Sequence, residues 1–179
     1  KGAIHKVNAI HAHISGTDLE GRPYVANEPA LLKWVHLAEV SSFLNAYQHL
    51  SKNTLSAPEC DQYIREMAHI GHLLGAQDLP MTWSSTQVEW AQYRPELRFD
   101  ERAQEILRIV ENYPTDVLDQ PFMLLTLKAA FDVMPPWALS LVEKPPACPW
   151  QSLATRLALG FAALIAFLLA TSAYSARRR

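Results

Sequence analysis

Apolar residues recur along most of the chain with the 3.6-residue period of an α-helix, and no run shows the strict alternation of a β-strand. The first stripe lies in residues 2–14 and comprises Ile4, Val7, Ile10, His11 and Ile14. Ser15-Gly16 follows it and predicts the end of this helix, because glycine often terminates helices. Asp18 and Gly21 continue the turn.

Two longer helices are predicted next. One begins at Glu28-Pro29, because proline is tolerated in the first turn of a helix, and ends near Leu50. The other begins at Ser56, where Glu59 three residues later gives the pattern of a capping box, and it ends at Gly75.

Shorter helices are predicted over residues 84–93, 100–111 and 121–133. The proline pairs Pro135-Pro136 and Pro145-Pro146 then separate the rest of the chain. The pattern therefore predicts an all-α domain over residues 1–150, followed by a distinct segment over residues 151–179.

That last segment contains 20 residues without a charged side chain, Leu157–Ala176. A helix of this length matches the thickness of a bilayer's hydrocarbon core, about 30 Å. A buried last helix of the domain is the alternative. We predict a single-pass transmembrane helix whose C-terminus is cytoplasmic, because Arg177–Arg179 outnumber the positive charge of Arg156 before the segment.

Composition narrows the classes of protein further. The 16 Lys and Arg against 18 Asp and Glu give a net charge of −2, which argues against a nucleic-acid binder. With 49% hydrophobic and 19% charged residues, the chain is not a disordered one. Cys60 and Cys148 are too few for a disulfide framework or a cysteine zinc site. The chain begins at Lys1, so we expect a processed or trimmed product.

All seven histidines lie within the first 72 residues, so any imidazole chemistry belongs to that part of the chain. His11 and His13, two apart on a helix, would point in different directions and could not share a metal ion. His69 and His72 would share a helix face but supply only two ligands, and a solvated polar face explains them. His11 and His36 have apolar neighbours, and each is either a hydrogen-bonded core histidine or an axial haem ligand.

Several short motifs follow one another in an order that indicates a family more specifically than any single motif does. His11-x-x-Ile14-x-Gly16 is followed by GRPYVANEP at residues 21–29, LLKWVH at residues 31–36, Leu55-Ser56-x-x-Glu59, Leu79-Pro80, Met134-Pro135-Pro136-Trp137 and Pro149-Trp150. In this order the motifs resemble the MpaB and latex-clearing-protein (rubber oxygenase) family.

The resemblance implies a globin-like helical core that binds b-type haem and oxidises apolar prenyl or polyisoprenoid chains with dioxygen. His11 would be the proximal haem ligand and thus the metal-binding residue, and His36 would line the pocket or support the cofactor site. Tyr24 and Trp34 would be packing residues. Family members have a helical portion before the His11 motif, whereas ten residues precede it here, so we expect a fragment or a shortened relative.

Two main functions are therefore compatible with the sequence. The first is a haem-dependent oxygenase that meets its hydrophobic small-molecule substrate at membrane lipid. The alternative is a non-catalytic, membrane-anchored accessory subunit that binds other protein subunits of a larger complex. A third, weaker interpretation is a soluble helical domain whose hydrophobic last helix is a dimer interface.

Overall fold

The computed structural model describes residues 2–114, 116, 119–146, 148 and 150–160. In chain order the elements are α1 (Gly2–His11), β1 (Ser15–Thr17), β2 (Pro23–Val25), α2 (Pro29–Leu50), α3 (Ala57–Leu74), α4 (Trp83–Tyr93), a 3-10 turn (Arg94–Glu96), α5 (Glu101–Glu111), α6 (Gln120–Val133) and α7 (Pro136–Leu141). Residues 150–160 are also helical. The predicted all-α class is confirmed, with one small sheet added.

The sheet corrects the prediction for the first loop. Strands β1 and β2 pair antiparallel, with Gly16 opposite Tyr24. A Cβ atom added at Gly16 would lie 2.8 Å from the hydroxyl oxygen of Tyr24, so a larger residue there would displace the tyrosine ring. Gly16 is therefore a strand residue rather than the stop of the first helix, which already ends at His11.

Asp18 organises the turn between the two strands. Its Oδ1 accepts hydrogen bonds from the backbone N–H groups of Glu20 (2.9 Å) and Arg22 (2.8 Å). Its Oδ2 accepts one from Nε of Arg22 at 2.6 Å. The bonds from Arg22 hold the pKa of the Asp18 carboxyl below its ordinary value. Gly21 completes the turn with a φ of 80°, a conformation that favours glycine.

Helices α2 and α3 form the core of the first of two compact units, Lys1–Leu97. The predicted start at Pro29 and end at Leu50 are confirmed for α2. Two clusters of buried apolar side chains join the helices and the loop after α3: Leu32 with Ala68, Ala76 and Leu79, and Val40 with Leu44, Cys60 and Ile64.

Both predicted ends of α3 are also confirmed. The carboxylate of Glu59 accepts hydrogen bonds from the backbone N–H (2.8 Å) and hydroxyl (2.6 Å) of Ser56, which lower the pKa of Glu59. At the other end Gly75 has a φ of 105°. There the N–H of Ala76 bonds to the carbonyl of Gly71, and the N–H of Gly75 bonds to that of His72, each at 3.0 Å, as in a Schellman motif.

Helix α4 is fixed to α2 and α3 by polar contacts. The N–H of Trp83, in its first turn, donates to Oδ1 of Asp61 on α3 at 2.8 Å. The indole N–H of the buried Trp90 donates to the hydroxyl of Ser41 on α2 at 2.9 Å, and that hydroxyl donates to the carbonyl of Leu37. These bonds satisfy polar groups within an apolar interface, where an unpaired group costs free energy.

The second compact unit is Arg98–Arg179. Within it, Nζ of Lys144 lies 2.7 Å from Oε1 of Glu111 and 5.4 Å from the ring centroid of Phe131. Helix α7 was not predicted, because its prolines were interpreted as a break although proline also suits a helix start. The predicted division at residue 150 stays a prediction.

Only the first four residues of the predicted membrane span Leu157–Ala176 belong to the described residues, and they are helical. Its remainder, with Arg177–Arg179, lies outside them. Among the residues that the structure describes, no helix has both the length and the apolar character needed to cross a bilayer.

Candidate functional site

His11 is the last residue of α1, where the chain leaves the helix for the hairpin. The N–H of Ile14 bonds back to the carbonyl of His11 at 3.1 Å, and the carbonyl of Ile14 accepts the N–H of Ala26 at 2.9 Å. The backbone of His11 thus lies between a helix end and a hairpin whose two strands are hydrogen-bonded to each other. Both constraints limit the positions that its backbone can adopt.

One ring nitrogen of His11 has an unusual environment. Its Nδ1 is covered by protein and has no hydrogen-bond partner among the described residues. Leaving a buried polar atom unpaired costs about 1–3 kcal/mol, so such atoms need an explanation in a native protein. A bound group whose binding moves the covering atoms aside, so that the imidazole ligates or hydrogen-bonds it, would supply one. The sequence marked His11 as a candidate, but this burial could not be predicted from it.

His13 does not share this environment. It lies in the turn after α1, is exposed, and its Nδ1 is 2.7 Å from the carbonyl oxygen of Ala9. The helical geometry assumed for His13 was wrong, because α1 has already ended at His11. His69 and His72 are exposed on α3, as a polar helix face requires. No group of three metal-binding side chains occurs within the described ranges.

His36 packs directly on the backbone of α3. A Cβ atom added at Gly71 would lie 2.9 Å from both Cε1 and Nδ1 of the His36 ring, and 2.5 Å from Cδ1 of Leu79. A larger residue at position 71 would force this ring and the Leu79 side chain to move. Gly71 could not be recognised from the sequence, since a glycine inside a helix gives no indication of what lies against it.

The surroundings of His36 favour its neutral form. Burial lowers the pKa of the ring, and the nearby His72 lowers it further, while the carboxylate of Glu39 opposes both. Because the ordinary pKa is 6.5, a lowered value leaves the ring mainly uncharged at pH 7. A neutral imidazole can donate one hydrogen bond and accept another.

The two helices that carry the candidate histidines both reach the same part of α3, residues 71–75, which we call the α3 terminus. Helix α1 reaches it through Asn8, whose Nδ2 donates to the carbonyl of Leu73 at 3.3 Å. Helix α2 reaches it through His36 against Gly71. Among the described residues no hydrogen bond joins His11 to His36, so the α3 terminus is what relates them.

The hairpin after His11 borders an open cleft of about 570 Å³. The lining is a mixture of apolar and polar residues: Ser15, Gly16, Thr17, Pro23, Tyr24, Val25 and Glu28. The carboxylate of Glu28 is already used, since it accepts the N–H of Val25 at 2.9 Å. This open surface differs from the enclosed pocket that holds most cofactors.

Comparison with known families decides what kind of protein this is. A family model described as "ER-bound oxygenase mpaB/B'/Rubber oxygenase, catalytic domain" matches residues 1–169. The chain belongs to this family. No curated protein and no solved structure matches it.

Membership in the MpaB and rubber-oxygenase family confirms the resemblance found in the sequence. The match covers the first compact unit, continues to residue 169 in the second, and includes every histidine of the chain. It shows an oxygenase-type catalytic domain. It also places the buried, unpartnered nitrogen of His11 within that domain, which makes His11 the first residue to consider as a cofactor ligand.

Proposed function

We propose that this chain carries the cofactor-binding part of a haem b-dependent oxygenase that acts on a hydrophobic, prenyl-like or polyisoprenoid substrate at a membrane. The observation that supports it best is the buried Nδ1 of His11, which has no hydrogen-bond partner among the described residues. In a domain of an oxygenase family, an unsatisfied imidazole is a natural ligand for iron.

The described residues include a suitable ligand atom for a haem iron. His11 offers an imidazole with one covered nitrogen, next in the chain to the apolar Ile10. A bound haem would supply the activation of dioxygen, and the protein would supply the ligand, the pocket and the exclusion of competing reactions. His11 is the residue that would bind the iron.

His36 has a supporting role in this proposal. Its ring is mainly uncharged at pH 7 and its position is fixed by the α3 backbone at Gly71. It would line the pocket as a neutral hydrogen-bonding group, whereas a charged imidazolium would be unfavourable beside an apolar substrate. The apolar segment Leu157–Ala176 would hold the enzyme at the lipid in which such a substrate dissolves.

The test is a visible absorption spectrum of the full chain, purified in detergent and titrated with haemin. We expect a Soret band that His11→Ala abolishes or shifts. His49→Ala is the matched control, because His49 is an exposed histidine in the last turn of α2. No saturable Soret band in the unsubstituted chain, or an identical band in His11→Ala, would overturn the proposal and favour the accessory-subunit alternative.

A further inference from the structure

Helix α1 carries His11 but is weakly held by apolar packing. None of its residues is fully buried, although it contacts α3. A side-chain hydrogen bond, from Nδ2 of Asn8 to the carbonyl of Leu73, crosses this contact at 3.3 Å. The bond is exposed to solvent, but with little apolar burial to define the position of α1, a directional contact of this kind contributes to setting it.

The carbonyl of Leu73 is an acceptor that the end of α3 leaves open. The last four carbonyls of a helix lack partners within the helix. The Schellman motif at Gly75 uses the carbonyls of Gly71 and His72. Asn8, which lies on a different helix, donates to the next carbonyl, that of Leu73. The bond therefore specifies which turn of α1 meets which turn of α3.

Asn8 lies three residues before His11, and residues with this spacing are neighbours on one face of a helix. The N–H of Ala12 also bonds to the backbone carbonyl of Asn8, at 3.1 Å, in the turn that holds His11. We infer that Asn8 is a positioning residue for His11: it fixes α1 on the α3 terminus so that the imidazole stays in its covered place. The positioning of His11 by Asn8 follows from the geometry alone, whereas its effect on haem binding rests on the proposed function.

The experiment combines two measurements on the full chain with Asn8→Ala and Asn8→Leu. The first is the NMR resonance of the His11 ring in haem-free protein, assigned with His11→Ala, which reports on the place of the imidazole. The second is the affinity for haemin. Asn112→Ala is the matched control, because Asn112 also donates from Nδ2 to a backbone carbonyl, that of Arg108, at 2.8 Å.

We expect both Asn8 variants to move the His11 resonance and to weaken haemin binding about two- to tenfold, the range for one hydrogen bond. Asn112→Ala should change neither. Asn8→Leu keeps the branched four-atom skeleton of the side chain, whereas Asn8→Ala removes it, so an effect shared by both variants is due to the lost donor. Circular dichroism verifies that each variant keeps its helices.

Unchanged His11 resonances in both Asn8 variants would overturn the inference, whatever the haemin affinity. If the unsubstituted chain does not bind haemin, the proposed function fails, and the resonance alone then decides whether Asn8 positions His11. The two failures are therefore distinguishable.

Discussion

Gly71→Ala tests the close approach of His36 to α3. The added methyl carbon would lie 2.5 Å from Cδ1 of Leu79 and 2.9 Å from two atoms of the His36 ring. Carbon atoms in contact prefer about 3.5–4.0 Å, so both neighbours must move. Leu79 is buried in the apolar cluster with Leu32 and has little space to do so.

Overpacking of this kind costs about 1–3 kcal/mol. Alanine recovers up to about 1 kcal/mol because it favours the helix more than glycine does. The distances at Gly71 lie far below contact, so we expect a net loss of about 1–2 kcal/mol in the free energy of unfolding. For a chain of this size the melting temperature should fall by about 2–8 °C.

The measurement is thermal and urea unfolding followed by circular dichroism. Gly160→Ala is the control, because Gly160 is also helical but a Cβ atom there would meet no described atom within 4 Å. That substitution should leave stability unchanged or raise it. If Gly71→Ala is as stable as Gly160→Ala, the ring and the leucine move aside freely, and the argument that a larger residue at position 71 is unfavourable is wrong.

Two further predictions concern α2. Burial lowers the pKa of His36 below 6.5, so the unfolded state takes up a proton more readily than the folded state, and the free energy of unfolding should fall as the pH drops below 6.5. His36→Gln should reduce that loss of stability, whereas His49→Gln, at an exposed position, should not. Urea unfolding at a series of pH values measures this, and equal slopes for both variants would contradict it. Ser41→Ala removes the hydroxyl that accepts the indole N–H of Trp90 and should cost about 1–3 kcal/mol in urea unfolding. Ser42→Ala, at the exposed neighbouring position, should cost less than about 0.5 kcal/mol, and similar values for the two would show that the buried bond is unimportant.

The helices could be predicted where local chemistry determines their ends. Pro29 begins α2 and Ser56 with Glu59 begins α3, while Gly75 ends α3 with a positive φ. The interactions that cap these helix ends involve residues only a few positions apart, so they can be recognised in the sequence.

The hairpin and the candidate site could not be predicted in full, because they depend on contacts between residues that are far apart in the sequence. Three-residue strands are too short for a periodic pattern, and Gly16 was interpreted as a helix stop because the Tyr24 whose ring packs against it is eight positions away. His11 and His36 could be named as candidates from their apolar neighbours. That His36 rests on Gly71, and that Asn8 reaches Leu73, depends on which helices meet, which no local pattern specifies.

The Asp18 turn also has a consequence for the order of folding. Its hydrogen bonds all lie within five residues, from Asp18 to Arg22. Closing so short a loop costs little chain entropy, and hairpins form in about 1–10 μs. The ends of α1 and α2 can thus be brought together before the distant contact between Asn8 and Leu73 exists. A hairpin that forms early would reduce the search that remains for the helix carrying His11.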